Sequence, residues 1–462
     1  MSGSRAALWV VLLLLAACTS GDPTAESYGS PPAGARSFPR QDTGRARFVL
    51  YHRQRPADAA LASLTQVAAS TGGGLRVVES APAQASDLTA AIRQIENPAL
   101  EASLPDADYL QRFGKGITED QAQGIGASKS GWRLVYAYPA REAAQALAAV
   151  DRSVLELARR SDALIWDADT GVLYAPEHFR ELRVDAPGAH DSVLQHTTIH
   201  AYQDAEHVRS VSLGMSRFGL PDLVIEQLSW ATHRSLATLM IGIAQQMVEG
   251  AEPDATGTFA FDARAIRNAA VREEVMADSI GNASHSGRPR LVAVAARAGD
   301  ADNPLLAIRF DDYTGNDEFA RQETAIANIF GWRDEIKRIE HSDELRSASD
   351  AARARLPQLR RDFEAGLEPG EYIQVKAPFP TPDGGHEWMW VEVTAWEEHV
   401  IHGLLRNEPF DIPALQAGQK VEVDPEEVFD YLRQFADGRQ EGNSTSEIIA
   451  RMQGETESDG SE

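Results

Sequence analysis

Residues 372–432 read YIQVKAPFPTPDGGHEWMWVEVTAWEEHVIHGLLRNEPFDIPALQAGQKVEVDPEEVFDYL, and their alternation decides how the C-terminal part of the chain folds. Met389, Val391 and Val393 alternate with Trp388, Trp390 and Glu392, the period-two pattern of a strand with one buried face. Glu397-Glu398 marks a turn and residues 399–405 form a second strand, so the pair reads as a hairpin. Pro409 and Pro413 lack an N–H, which keeps residues 408–414 out of regular pairing. Gly418 opens a turn into a third short strand, 420–423. Asp424-Pro425-Glu426-Glu427 then carries the marks of a helix start: an aspartate cap, proline at the first helical position and acids in the first turn. The expected result is a small curved antiparallel sheet or open barrel with helices against it.

Four pieces of this region carry a resemblance: Val375-Lys376-Ala377-Pro378-Phe379, His386-Glu387-Trp388-Met389-Trp390-Val391-Glu392-Val393, Gly403-Leu404-Leu405-Arg406-Asn407-Glu408-Pro409 and Gly418-Gln419-Lys420-Val421. In that order they resemble the bacterial family known as domain of unknown function 2314, or YegJ-like. The resemblance runs from near residue 343 to near 449, and it implies a fold unit without an established activity. Within it, Asn407-Glu408-Pro409 is the most concentrated polar cluster. A buried carboxylate there has to be hydrogen-bonded. The favoured reading is structural, with Asn407 and Glu408 satisfying backbone groups. The other is recognition, with Trp388 or Trp390 as an aromatic wall. The candidate binding residues are therefore His386, Glu387, Trp388, Trp390, Asn407 and Glu408.

Working outward, 462 residues are enough for two or three domains, and the hydrophobic and charged fractions are ordinary for a globular protein. The net charge of −25 argues against nucleic acid, whose phosphates need a basic footprint. At the N-terminus, Arg5 precedes an apolar run over 6–17 that suits a signal peptide and is too short to span a membrane. It ends in Leu15-Ala16-Ala17-Cys18, which resembles the lipobox of bacterial lipoproteins. That resemblance implies cleavage before Cys18 and acylation of its sulfur and its amine. Cys18 is the single cysteine, so no intramolecular disulfide can form, and several acyl chains anchor stably where one does not. Thr19 in place of aspartate leans towards the outer membrane, facing the periplasm. Residues 18–44, rich in Ser, Gly, Pro and Ala, read as a disordered tether.

The body reads as α+β: two layered α/β sandwich units followed by the C-terminal sheet. The first unit, 45–184, has strands at 45–51, 75–78 and 132–138. Its helices fall at 56–69 and 141–160, with an irregular Gly-rich stretch at 106–126 and a hairpin of 163–166 with 172–174 around Asp167-Ala168-Asp169-Thr170-Gly171. The second, 190–335, has strands at 196–203, 208–215, 291–296 and 305–310, and helices at 232–249 and 318–330. The third, 341–453, opens with apolar positions at helical spacing over 343–363, where Pro357 should kink or split the helix. Residues 454–462 read as an acidic disordered tail.

The chemical motifs favour plain readings. Asp167 and Asp169 follow an apolar strand, as a phosphatase nucleophile would, but Asp and Gly are ordinary turn residues and a turn is expected. His196 and His200, read on one strand, stand about 13 Å apart, too far for one zinc, and are expected at the surface. His399 and His402 should leave a strand on opposite faces. No HExxH, nucleophile elbow or phosphate loop is present, so no metal, cofactor or catalytic residue is assigned. The leading expectation is a non-catalytic envelope lipoprotein, held to the membrane by its lipid anchor and binding a protein, peptide or envelope polymer. The alternatives are a hydrolase using His386, Glu387 and Glu408, with or without a metal, and a purely structural or immunity-like protein.

Overall fold

The computed structural model describes residues 10–11, 40–54, 56, 59–71, 74–96, 98, 104–204, 207–279, 283–315, 317–331, 343–368, 370–382, 386–407, 409, 412–445 and 448. Cys18, the tether up to residue 39 and the acidic tail lie outside the described residues. Among the described residues the fold is mixed α+β, organised on three open six-stranded sheets.

The first sheet is built on β1 (Thr43–His52). Its neighbours are β2 (Arg76–Val77), β3 (Thr89–Ile95), β4 (Gly131–Pro139), β5 (Ala163–Asp167) and β6 (Val172–Tyr174), in the order β2-β3-β4-β1-β5-β6. Strand alternation splits β1 between two layers. Phe48 and Leu50 pack with Leu64 and Val67 of α1 (Ala60–Thr71) and with Leu147, Val150 and Val154 of α4 (Ala143–Arg160). Val49 and Tyr51 face Leu110 of α2 (Ala107–Phe113) and Ala122 of α3 (Glu119–Gly124). The stretch 106–126, expected to be irregular, thus holds two helices. Asp106 accepts from the Tyr109 amide and Thr118 forms a capping box with Gln121, and these caps set the local structure despite the glycines. Strand β3 is an element the sequence reading did not anticipate.

The second sheet contains β7 (Thr198–Asp204), β8 (His207–Leu213), β9 (Asp222–Leu228), β12 (Arg290–Val294) and β13 (Leu305–Arg309); the backbone of Val10–Val11 pairs in parallel beside Ile199 and His200 at its edge. Within this sheet β9 and β13 are parallel, whereas the pairs β7–β8, β8–β9 and β12–β13 are antiparallel. A small ribbon of β10 (Phe261–Asp262) and β11 (Ser286–Gly287) lies apart. Past the short helices α5 (Pro176–Phe179) and α6 (Val193–His196), helix α7 (Trp230–Val248) buries Leu236, Leu239, Met240, Ile243 and Met247, and α8 (Ala269–Ala277) packs beside it. Helix α9 (Glu318–Phe330) starts at the Asp317 cap and stops at Gly331, whose positive φ of 82° suits glycine. The first two sheets are separate, but one continuous apolar cluster runs from Phe48 and Trp132 through Leu223 to Ile329.

A polar clasp crosses the same boundary. The turn Met215–Phe218 lies between Gly214 (φ 109°) and Gly219 (φ 65°), and a Cβ on Gly214 would stand 2.4 Å from the His196 carbonyl. That turn drives Arg217 into the first unit. Its Nη2 donates to Asp167 and, at 3.1 Å, to Asp169. Arg183 bridges Asp167 (3.1 Å) and Asp151 (3.3 Å), and Arg47 Nε holds Asp169 at 2.6 Å. Asp167, Asp169 and Thr170 do form a turn, with Asp167 accepting from the amides of Asp169 and Thr170. The carboxylates are nonetheless buried. Burial pushes Asp167 up, but Arg217 and Arg183 outweigh it and hold the carboxyl below its usual range.

The surface assignment of two histidines is corrected. His196 ends a short helix (Val193–His196) and is fully buried, 3.7 Å from Asp151; His200 sits on β7, buried, with Nε2 3.2 Å from the Thr170 carbonyl. The Thr-rich local pattern said strand and surface, whereas packing between the two sheets covers both rings.

The third sheet has the order β17-β16-β15-β14-β18-β19, with β14 (Tyr372–Pro380), β15 (His386–Trp396), β16 (Ile401–Leu405), β17 (Lys420–Val423), β18 (Asp430–Gln434) and β19 (Gln440–Gly442). It is open, not a barrel. The predicted helix at 424 is a single 3-10 turn, Pro425–Glu427, although Asp424 does cap it. Residues 430–434 instead pair along β14, because an open strand edge offers a ladder of backbone bonds that outweighs a local helix signal. Helix α10 (Asp343–Ala365) runs unsplit through Pro357 and packs Ala352, Leu356 and Leu359 on the sheet.

Two measurements test this frame. Arg217→Met removes the cation shared by Asp167 and Asp169, leaving the first to Arg183 and the second to Arg47, and should lower unfolding stability by about 3–5 kcal/mol in denaturant titration. Burial lowers the His200 pKa to about 4, below its unfolded value, so its contribution is present above about pH 6.5 and is lost as pH falls through 4. His200→Asn should make the slope of stability against pH between 4 and 6.5 shallower by about one proton.

Candidate functional site on the C-terminal sheet

Odd-numbered residues of β14 and β15 face α10: Ile373, Val375, Ala377, Met389, Val391 and Val393 share one core with Leu359. The opposite face carries Gln374, Lys376 and Pro378 in register with Glu392, Trp390 and Trp388. Trp388 and Trp390 are half-buried there. Trp388 lies 4.4 Å from Phe429 between ring centroids, and the Lys376 ammonium sits 5.5 Å over the Trp390 ring. Beside Lys376, Asp430 accepts from the Thr445 amide and hydroxyl at 2.8 and 2.6 Å, while burial pushes its carboxyl up.

Asn407 is buried under this face. Its Oδ1 accepts the Trp390 amide at 2.7 Å, while the Arg406 amide donates to the Trp390 carbonyl at 2.8 Å. The side chain therefore stands in for one more rung of the β15–β16 ladder and fixes where Trp390 sits. Glu408 lies outside the described residues. His386 is exposed, whereas Glu387 is buried on the side of Met389 and Val391. Neighbours on a strand leave it on opposite faces, so these two do not form an acid–base pair.

Two further residues of this face were not singled out by sequence reasoning. Glu392, expected on the exposed side of an amphipathic strand, is buried and accepts from the amides of Trp230 (2.9 Å) and Ala231 (3.3 Å), the first turn of α7. Burial pushes its carboxyl up, against the pull of Arg406 and the helix amides. Arg406 is also buried, donates to Ser229 Oγ at 3.0 Å and pairs with Glu323 at 2.7 Å. The one sequence signal was a glutamate between β-formers in a strand whose other face was already filled.

At the far end of the face, His402 lies between Glu397 (3.5 Å) and Glu422 (3.6 Å), beside an open cleft of about 660 Å³ lined by Thr394, Lys420 and Glu422. His399 is exposed. Among the described residues, no group of three or more His, Cys, Asp or Glu is placed to hold a metal ion, and no helix is long and apolar enough to cross a membrane.

Comparison with known proteins places a match on this part of the chain. Residues 343–459 match the family model described as "Uncharacterized protein conserved in bacteria (DUF2314)". No curated protein and no solved structure matches the chain.

Removing the Asn407 carboxamide leaves the Trp390 amide without its acceptor. Asn407→Ala should cost about 1–3 kcal/mol in thermal or denaturant unfolding, and Asn407→Asp, which keeps an acceptor oxygen, should cost less.

Proposed function

We propose that this chain is a non-catalytic envelope lipoprotein. It is anchored through Cys18, and two α/β sandwich units, 45–184 and 190–335, carry a C-terminal domain, 341–453, that binds a protein, peptide or envelope polymer in the periplasm. The observation that carries the binding role is the Trp388–Trp390–Lys376 patch. Two partly exposed aromatic rings lie together on one sheet face, over the buried Lys376, and Asn407 fixes the backbone beneath them. Rigid aromatic surface with a charge beside it is the composition of interaction hot spots. The carboxylates nearest the patch, Glu392 and Asp430, are committed to hydrogen bonds inside the protein, which favours recognition over acid–base chemistry. The lipobox-like Leu15-Ala16-Ala17-Cys18 supports the address.

One experiment tests both halves of this reading. A photo-crosslinking phenylalanine analogue is placed at position 390, or at the exposed control position Leu61, in the full chain expressed in bacteria with and without Cys18→Ser. A discrete adduct is expected at 390, absent at 61, and lost or strongly reduced when Cys18 is replaced. Equal labelling at 390 and 61 would remove the binding face, and an adduct indifferent to Cys18 would remove the anchor.

A further inference from the structure

The contact between the C-terminal sheet and helix α7 is built like a binding site. Of the first-turn amides of α7, Thr232 is satisfied by Ser229 Oγ within its own capping box, and Trp230 and Ala231 donate to Glu392. A helix leaves its first amides without internal partners and carries partial positive charge there, so a carboxylate in that position meets both needs. Arg406 completes the arrangement from the same sheet. It donates to the capping Ser229, pairs with Glu323 of α9, stands 3.8 Å from Glu392 and lies 5.1 Å from the centroid of the Phe319 ring. An apolar seam of Phe319, Ala320 and Ala417 closes the side. Gly418, at φ 80°, lies so near Phe319 that a Cβ would stand 2.7 Å from the Phe319 Cβ.

We propose that the outer face of the C-terminal sheet is a receptor for the first turn of a helix. In this chain it is filled in cis, so that residues 343–448 are latched onto the body of residues 40–331. The chemistry it recognises is a serine-capped helix N-terminus with a carboxylate one helix away. Glu392 reads the free amides, Arg406 reads the serine oxygen and the carboxylate, and Gly418 admits an aromatic ring. The proposal stands on Glu392, Arg406 and Gly418 and does not rest on the role proposed for Trp388 and Trp390.

The test uses the full chain with a protease site placed between residues 332 and 342. After cleavage the wild-type halves should stay together in size-exclusion chromatography, and the combined Glu392→Ala and Arg406→Ala variant should weaken their association about 100-fold or more. Glu323→Ala, on the body side, should weaken it several-fold and be non-additive with Arg406→Ala. Circular dichroism of the cleaved halves establishes that each remains folded. Wild-type halves that separate on cleavage, variants that hold as tightly as wild type, or strictly additive losses at 323 and 406 would each overturn the latch. Should the double variant fail to fold, the Glu323→Ala measurement alone decides.

Discussion

Taking Arg217, Arg183 and Asp167 out of water is expensive, and the first two sheets can be joined this way only because each charge meets an opposite one. Desolvating an ion costs several kcal/mol even after relaxation, so a buried pair contributes little net stability while the loss of one partner is severe. Arg217 reaches Asp167 and Asp169 across the boundary between sheets, Arg183 reaches Asp167 and Asp151 within the first unit, and Arg47 covers Asp169 from the edge. Three guanidinium groups thereby oppose three carboxylates. An apolar seam tolerates a shift of an ångström or two, whereas this arrangement accepts only one placement of the turn Met215–Phe218. That is the value of a charged clasp over more leucine: it specifies register between two sheets that share an apolar cluster.

The glycines on either side show how the backbone was adapted to it. Gly214 and Gly219 both hold positive φ and both have backbone oxygen within 2.5 Å of where a Cβ would lie. Gly214 is hemmed in by His196 of its own unit and Thr170 of the first, and Gly219 by Gln41 and Ala140, so a side chain at either end would push the turn, and Arg217 with it, out of place.

How much of this could be read from the sequence depends on how far apart the interacting residues are. Helix α9 was legible, because a cap, an apolar stripe and a terminating glycine all lie within residues 317–331. So was the core face of β15, since Met389, Val391 and Val393 repeat with the strand period. The structural role favoured for Asn407 has its counterpart in the bond to the Trp390 amide. The clasp was not legible, because Arg217 and Asp167 are fifty residues apart and nothing in Asp-Ala-Asp-Thr distinguishes a buried turn from an exposed one. Glu392 was hidden more thoroughly. Its partners lie about 160 residues upstream, and its place in an alternating strand looked like a solvated position. The helix expected at 424 failed for the same reason: the edge of β14 is invisible to local capping signals.

The two polar joints also differ in what surrounds them, and this sets which parts of the chain can move apart. Around Arg217 the apolar cluster is continuous, from Phe48 and Tyr138 in one unit to Leu220 and Leu223 in the other, so opening that joint exposes core. The C-terminal sheet keeps a separate core, centred on Met389, Val391 and Leu359; among the described residues, its buried apolar seam with the body is the small cluster of Phe319, Ala320 and Ala417 beside the Glu392 and Arg406 contacts. At about 25 cal/mol per Å² of apolar surface, a three-residue seam supplies far less hydrophobic attraction than a shared core. The body formed by the first two sheets should therefore unfold as one cooperative unit, while the C-terminal domain can detach without losing its own packing. Charge and hydrogen bonds, more than apolar area, hold that domain in place.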